Sequence, residues 1–138
     1  MDARRWLDYH DMRIDIWNKF LSLFPLPTWT VWAPTRTGWT DVGGDPTTTA
    51  RYCRIGNVVF IQIKMVPIIT VAAVAGTSFI SLPVAANASG ITGDGSMLNS
   101  TTLIGVGNCV IDTANSRIYV PAQAATANTL SIAAWYEV

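Results

Sequence analysis

Two runs of alternating side chains meet at a glycine and an asparagine, and they commit this chain to antiparallel β structure. Arg51 to Ile55 and Val58 to Val66 flank Gly56-Asn57, a pair suited to a tight hairpin turn because glycine takes positive φ without steric cost and asparagine tolerates it. Successive strand side chains point to opposite faces. Val59, Ile61, Ile63 and Met65 therefore form one apolar face, while the other begins with Val58 and Phe60 and ends with Gln62 and Lys64. The first face belongs in a core, and the second is partly covered.

Further short runs follow at Ser78 to Leu82, Thr102 to Val106, Cys109 to Asp112, Arg117 to Val120 and Thr129 to Tyr136, each bounded by Gly, Asn, Ser or Pro. No helical period of useful length interrupts them. Short strands at regular spacing with turn residues between them predict a mainly β chain, an antiparallel β-sandwich of jelly-roll type. The Ala-rich pieces at 72–75, 85–88 and 122–127 read as loops, Asp94-Gly95-Ser96 reads as a turn, and the polar stretches 87–101 and 121–129 are expected at an exposed tip.

The N-terminus is a different kind of segment. Trp6, Leu7, His10, Ile14, Trp17, Leu21 and Phe24 recur in steps of three and four, the spacing of one helix face. Asp2 can cap this amphipathic helix, and Pro25 and Pro27 stop it. A lone helix of this length is marginal in water, so its stripe is expected to anchor the chain to a partner or to trimerise it. The organisation predicted is an anchoring or trimerising helix at 1–24, a Pro/Thr/Trp-rich linker and first strand at 25–49, and a β-sandwich head at 50–138. Within the linker, Gly43, Gly44 and Pro46 mark a turn.

Charge narrows the function. At 138 residues the chain is long enough for one core; it is 13% charged, where an ordinary soluble domain carries about a quarter. From Ile55 onward only Lys64, Asp94, Asp112, Arg117 and Glu137 carry charge. So neutral a surface is expected to be covered by other subunits. The net charge is zero with no basic run, which argues against nucleic acid. No apolar stretch reaches the roughly 20 residues that cross a bilayer, so no membrane insertion is expected, and four acids among the first 15 residues do not resemble a secretory signal. Cys53 and Cys109 are far apart with no CxxC spacing, and read as buried free thiols.

Chemistry has few candidates. His10, the only histidine, falls in the helix stripe without a visible partner, and general acid–base catalysis needs one. No Gly-x-Ser-x-Gly elbow occurs, Cys and His are too sparse for zinc, and Asp41 and Asp45 lack EF-hand spacing and read as a solvated turn. With Glu137 the only glutamate, the pair of acids a glycosidase needs is not evident. The reading is of no catalytic residue, no metal and no cofactor. Six tryptophans are a heavy load for this length. Trp29, Trp32 and Trp39 either stack on a glycan or a neighbouring subunit, or plug the base of the sandwich or a trimer seam.

The run Arg51-Tyr52-Cys53-Arg54-Ile55-Gly56-Asn57-Val58-Val59-Phe60-Ile61-Gln62-Ile63 resembles the GRY-x-KIGN-x-V-x-FQ hairpin of C-terminal β-sandwich domains in phage tail fibres and related virion proteins, with Ala50 where that pattern has Gly. The Trp29 to Trp39 segment, Phe79-Ile80-Ser81-Leu82-Pro83 and a terminal strand closing near Tyr136 fit it too. The resemblance implies a homotrimer of jelly-roll heads in a virion assembled in the host cytoplasm, touching the host surface or clamping to other virion proteins, with no catalytic residue. The leading expectation is a tail-fibre or receptor-binding appendage. Its partners would be itself, a tail, baseplate or major capsid protein, and a host surface glycan. A capsid decoration protein and a free carbohydrate-binding module are the alternatives.

Overall fold

A computed structural model describes residues 12–19, 22–23, 27–88 and 93–138. Residues 12–19 and 22–23 are helical. Trp6, Leu7, His10, Leu21 and Phe24, from the expected helix stripe, lie outside the described residues. From residue 27 on the regular structure is all β and every pairing is antiparallel, giving a β-sandwich behind a short N-terminal helix.

The strands in chain order are β1 (Thr30–Trp32), β2 (Arg36–Thr37), β3 (Trp39–Val42), β4 (Thr47–Ile55), β5 (Val58–Val66), β6 (Thr70–Ala73), β7 (Phe79–Ser81), β8 (Asp94–Asn99), β9 (Ile104–Asp112), β10 (Arg117–Tyr119), β11 (Gln123–Thr126) and β12 (Leu130–Glu137). Nine form one sheet in the order β1-β4-β5-β12-β8-β9-β10-β7-β2, and three form another in the order β11-β6-β3. The long strand β9 curls the large sheet, because its first part pairs with β8 and its last three residues, Val110 to Asp112, pair with β10. Residues 25–49, read as linker and first strand, thus supply β1 and β2 to the two edges of the large sheet and β3 to the small one.

The expected hairpin forms as read: Ile55 faces Val58 across Gly56-Asn57, and Gly56 takes φ +59°. Val59, Ile61, Ile63 and Met65 are all buried, as are Leu130, Ile132, Ala134 and Tyr136 on β12, which lies beside β5 from Leu130↔Met65 to Glu137↔Val58. Ile80, Ile111 and Ile118 from the curled part of the large sheet and Val71 and Ala73 from the small sheet close the same cluster. Fully burying one such aliphatic side chain contributes about 1.5–3 kcal/mol, and this cluster is the core that holds the sheets together.

Three loop expectations are corrected. Asp94-Gly95-Ser96 is not a turn: it opens β8, which lies inside the large sheet between β12 and β9. Only Met97 of that strand is deeply buried, so its polar sequence concealed it; pairing on both sides overrides weak strand propensity. The Ala-rich piece at 122–127 likewise falls largely in β11, and the first half of 72–75 ends β6, whose small side chains suit the short sheet. The runs expected at Thr102 to Val106 and Cys109 to Asp112 are one strand, β9, continuous through Gly107. A Cβ there would lie 2.9 Å from Pro121 Cβ, so this glycine serves a close approach and does not end the strand.

Between the two sheets, β2 and β3 are joined by Gly38, at φ +74°. Buried Ser78 fixes this corner by donating its hydroxyl to Gly38 O (2.6 Å) and accepting from Val74 N (2.8 Å). Asp41, expected in a solvated turn, instead lies on β3 and accepts a two-pronged hydrogen bond from Arg36 on β2 (Nη1–Oδ1 3.1 Å, Nη2–Oδ2 2.7 Å), with only 10% and 16% of the two side chains exposed. The bidentate fork is the strong form of this contact.

The register also sorts the turns. Thr47 faces Val66, Leu130 faces Met65 and Asn99, and Thr70 faces Val42, which brings the β3–β4, β5–β6, β8–β9 and β11–β12 connections to one end. That end exposes Val42, Val66, Ile68, Ile69, Leu103 and Ile104. The chain enters β1 from the other end, with Thr30 opposite Tyr52 and Trp32 opposite Ala50.

Candidate functional site

The strand alternation that buries one face of the large sheet determines what its outer face offers. Reading across the strands, one outer row runs Val31, Arg51, Gln62, Ala133, Ser96 and Asn108. A second runs Cys53, Phe60, Trp135 and Asp94, and a third Thr49, Lys64, Ser131 and Leu98. The middle positions are small or carry amides and hydroxyls, so the sheet is recessed there between larger neighbours. Two adjoining cavities result. One, of about 470 Å³, is lined by residues that include Thr49, Arg51, Gln62, Lys64, Ser96, Leu98 and Ser131. The other, of about 410 Å³, is lined by residues that include Trp29, Phe60, Asp94, Asn108 and Trp135. They share Gln62, Ser96 and Ala133 and form one groove, each part within the size range of small-ligand clefts, about 300–1,000 Å³.

Arg51 is held at two points. Its Nε donates to Gln62 Oε1 (2.9 Å), and its Cζ lies 4.8 Å from the centroid of the Trp29 ring, a cation–π distance. Lys64 stands diagonally from it on the neighbouring strand. Asp94 is the one carboxylate among the described lining residues, and its Oδ1 accepts from Gly95 N (2.8 Å).

The cysteines are both free and buried. The Cys109 thiol is pushed up to about 12 by burial, with the nearby Asp94 charge adding to the effect, so it stays a neutral thiol at neutral pH and is not a nucleophile. Tyr136 closes the core from the last strand: its hydroxyl donates to Val84 O (2.9 Å) and accepts from Val84 N (3.3 Å), and burial pushes its phenol up to about 12. On the curled part of the sheet, Arg117 lies over Phe79 (4.6 Å) and Tyr119 (4.9 Å) while its Nε donates to Asp112 (2.8 Å). Hydrogen bonds from the Asn115 side chain and then Arg117 hold the Asp112 carboxyl below its ordinary range. That cluster fastens the β9–β10 turn.

The three tryptophans singled out from the sequence do not converge. Trp39 packs against the core with Arg36 5.6 Å from its ring centroid and donates its indole N–H to Phe79 O (3.3 Å). Trp32 packs on the core edge-to-face with Tyr52 at 6.0 Å, and its buried indole nitrogen has no hydrogen-bond partner among the described residues. Only Trp29 reaches the groove. Ile14 and Trp17 of the helix stripe are 47% and 61% exposed.

Trp135, Gln62, Ser96 and Asn108 were not singled out from the sequence. Their outward parity on alternating strands was visible, but their convergence depends on β8 lying between β12 and β9.

No family model matches the chain, and no curated protein or solved structure matches it either. The likeness to phage fibre domains therefore rests on the hairpin at residues 51–63 and its companion segments alone.

Proposed function

We propose that this protein is a non-enzymatic structural protein of a phage particle, a homotrimeric tail-fibre or receptor-binding appendage. It attaches to the particle through its N-terminal helix and presents the β-sandwich to the host surface. The observation that carries this reading is the outer groove: a recess of amide, hydroxyl and aromatic groups that holds one carboxylate among its described lining residues and no paired acid and base. Such a lining suits binding, whereas general acid–base chemistry needs a partnered titratable group.

Two features support assembly. The sandwich exposes six aliphatic side chains at the end away from the entry of the chain, with Leu103 79% exposed, and apolar surface gathered at one end suits an interaction site. Of the five charged side chains after Ile55, Asp112 and Arg117 neutralise each other, so little charge opposes close contact between copies. The resemblance of the Arg51 to Ile63 hairpin supplies the viral setting.

Light scattering on the full-length chain tests the reading. The expected mass is three times the 15.0 kDa of one chain. A monomer at micromolar concentration would overturn it.

A further inference from the structure

We propose that the groove on the outer face of the large sheet is a binding site for a saccharide carrying a carboxylate, with Arg51 and Lys64 holding the acid group and Trp29 and Trp135 flanking the sugar rings. The inference rests on the reading that the sandwich faces a host surface, and it gives that surface a chemistry.

Three observations lead to it. First, the groove holds two of the few cations on the sandwich, side by side. Arg51 faces Gln62 and Thr49 faces Lys64 in the β4–β5 register, so the two cations are diagonal neighbours on one face, about 7–8 Å apart at Cα. Neither has an ion pair among the described residues, nor does Arg54, which donates to Gly56 O, whereas Arg36 and Arg117 each do. Like charges left adjacent and uncompensated cost stability, and an anionic ligand removes that cost.

Second, Arg51 is fixed before any ligand arrives. Gln62 takes its Nε and Trp29 takes one face of its guanidinium. Its two Nη groups have no hydrogen-bond partner among the described residues, and the guanidinium fork matches a carboxylate in geometry. A fork held in place loses less freedom on binding.

Third, the rest of the lining is what a saccharide requires. Ser96 and Thr49 offer hydroxyls and Asn108 an amide, the Ser131 hydroxyl being already paired with that of Ser100, while Trp29 and Trp135 remain 44% and 38% exposed beside them. Indole rings give broad apolar faces at little cost in rotamer freedom. Asp94 lies at the far end of the groove from Lys64, directly opposite Trp135 on the neighbouring strand, and so disfavours a second acid group there. The site therefore fits one carboxylate at the Arg51 end of an otherwise neutral saccharide.

The test uses the labelled full-length chain on an array of uronate- and sialate-bearing oligosaccharides and their neutral counterparts, followed by calorimetric titration of the best binder. Binding to carboxylated members, weakened by raised salt, is expected. The double variant Arg51→Gln/Lys64→Gln should bind about tenfold more weakly or worse, because each charge-assisted hydrogen bond lost is among the stronger ones. Both positions are exposed, so the fold should be retained, which circular dichroism checks. Binding of neutral sugars alone, no binding, or binding unchanged in the double variant would overturn the proposal. A change of solution mass in that variant would also overturn it, by making the groove a seam between subunits. Failure on the array with a trimeric mass leaves the appendage reading standing, so the two are separable.

Discussion

At the scale of single residues, two glycines with the same backbone hand carry very different constraints. Gly38 at φ +74° has no room, since a Cβ would sit 2.5 Å from Thr77 O, whereas Gly56 at φ +59° has nothing within 4 Å. Gly38→Ala is expected to cost about 3 kcal/mol or more, strain and clash together, and Gly56→Ala about 1 kcal/mol, from conformation alone. Urea unfolding of the two variants measures the difference. Tyr136 sets a pH limit. Its phenol is neutral in the folded core and titrates near 10 once unfolded, but only at about 12 when folded. Its contribution is fully present below pH 10 and is lost as pH rises from 10 to 12, because only the unfolded state then gains from losing the proton. Cys109, raised from 9.0 to about 12, begins the same loss one unit earlier. Stability measured against pH should fall from about pH 9, and Tyr136→Phe should flatten the part above 10 while lowering stability at pH 7 by about 1–3 kcal/mol for the lost bonds to Val84.

At the scale of elements, the tie between β2 and β3 decides whether the small sheet stays on the large one at that edge. Asp41→Ala leaves a guanidinium that is 10% exposed without its partner, and removing one member of a largely buried pair costs about 3 kcal/mol. Asp45 also lies near Arg36, at 3.6 Å, but its side chain is 96% exposed, so Asp45→Ala should change stability by less than about 0.5 kcal/mol. Thermal unfolding of both variants checks this contrast. The elements also differ in how far the sequence revealed them. β5 and β12 were legible because alternating apolar residues of ample size bury one face, and β4 because the Gly56-Asn57 turn folds it back onto β5. β8, β6 and β11 were not, because small residues dominate β6 and β11, polar residues and glycine open β8, and their strand conformation comes from neighbours already in place.

At the scale of the whole molecule, three surfaces stand out: a helix whose described residues are exposed, an apolar end, and a polar groove. The proposed association through the apolar end would be hydrophobic and nearly uncharged, so it should persist as salt is raised. Placing charge there by Ile68→Asp with Leu103→Asp should reduce the solution mass toward that of one chain, as light scattering would show, while ligand binding in the groove persists.

The sequence alone determined the β class, the Gly56-Asn57 hairpin and the inward face of β5, because strand alternation and turn chemistry are local and need no knowledge of partners. The scarcity of charge after Ile55 was also written there. The tertiary structure alone decided which strands neighbour one another, and with that everything about the groove. Gln62, Ser96, Asn108 and Trp135 come from four strands of which only β8 and β9 are joined by a short turn, and no local pattern records that β12 lies between β5 and β8. It also separated Trp29 from Trp32 and Trp39 and turned Asp41 from a solvated residue into the partner of Arg36. Long-range pairing is fixed by the fit of whole faces in the core, a property of the folded set of strands and not of any one of them.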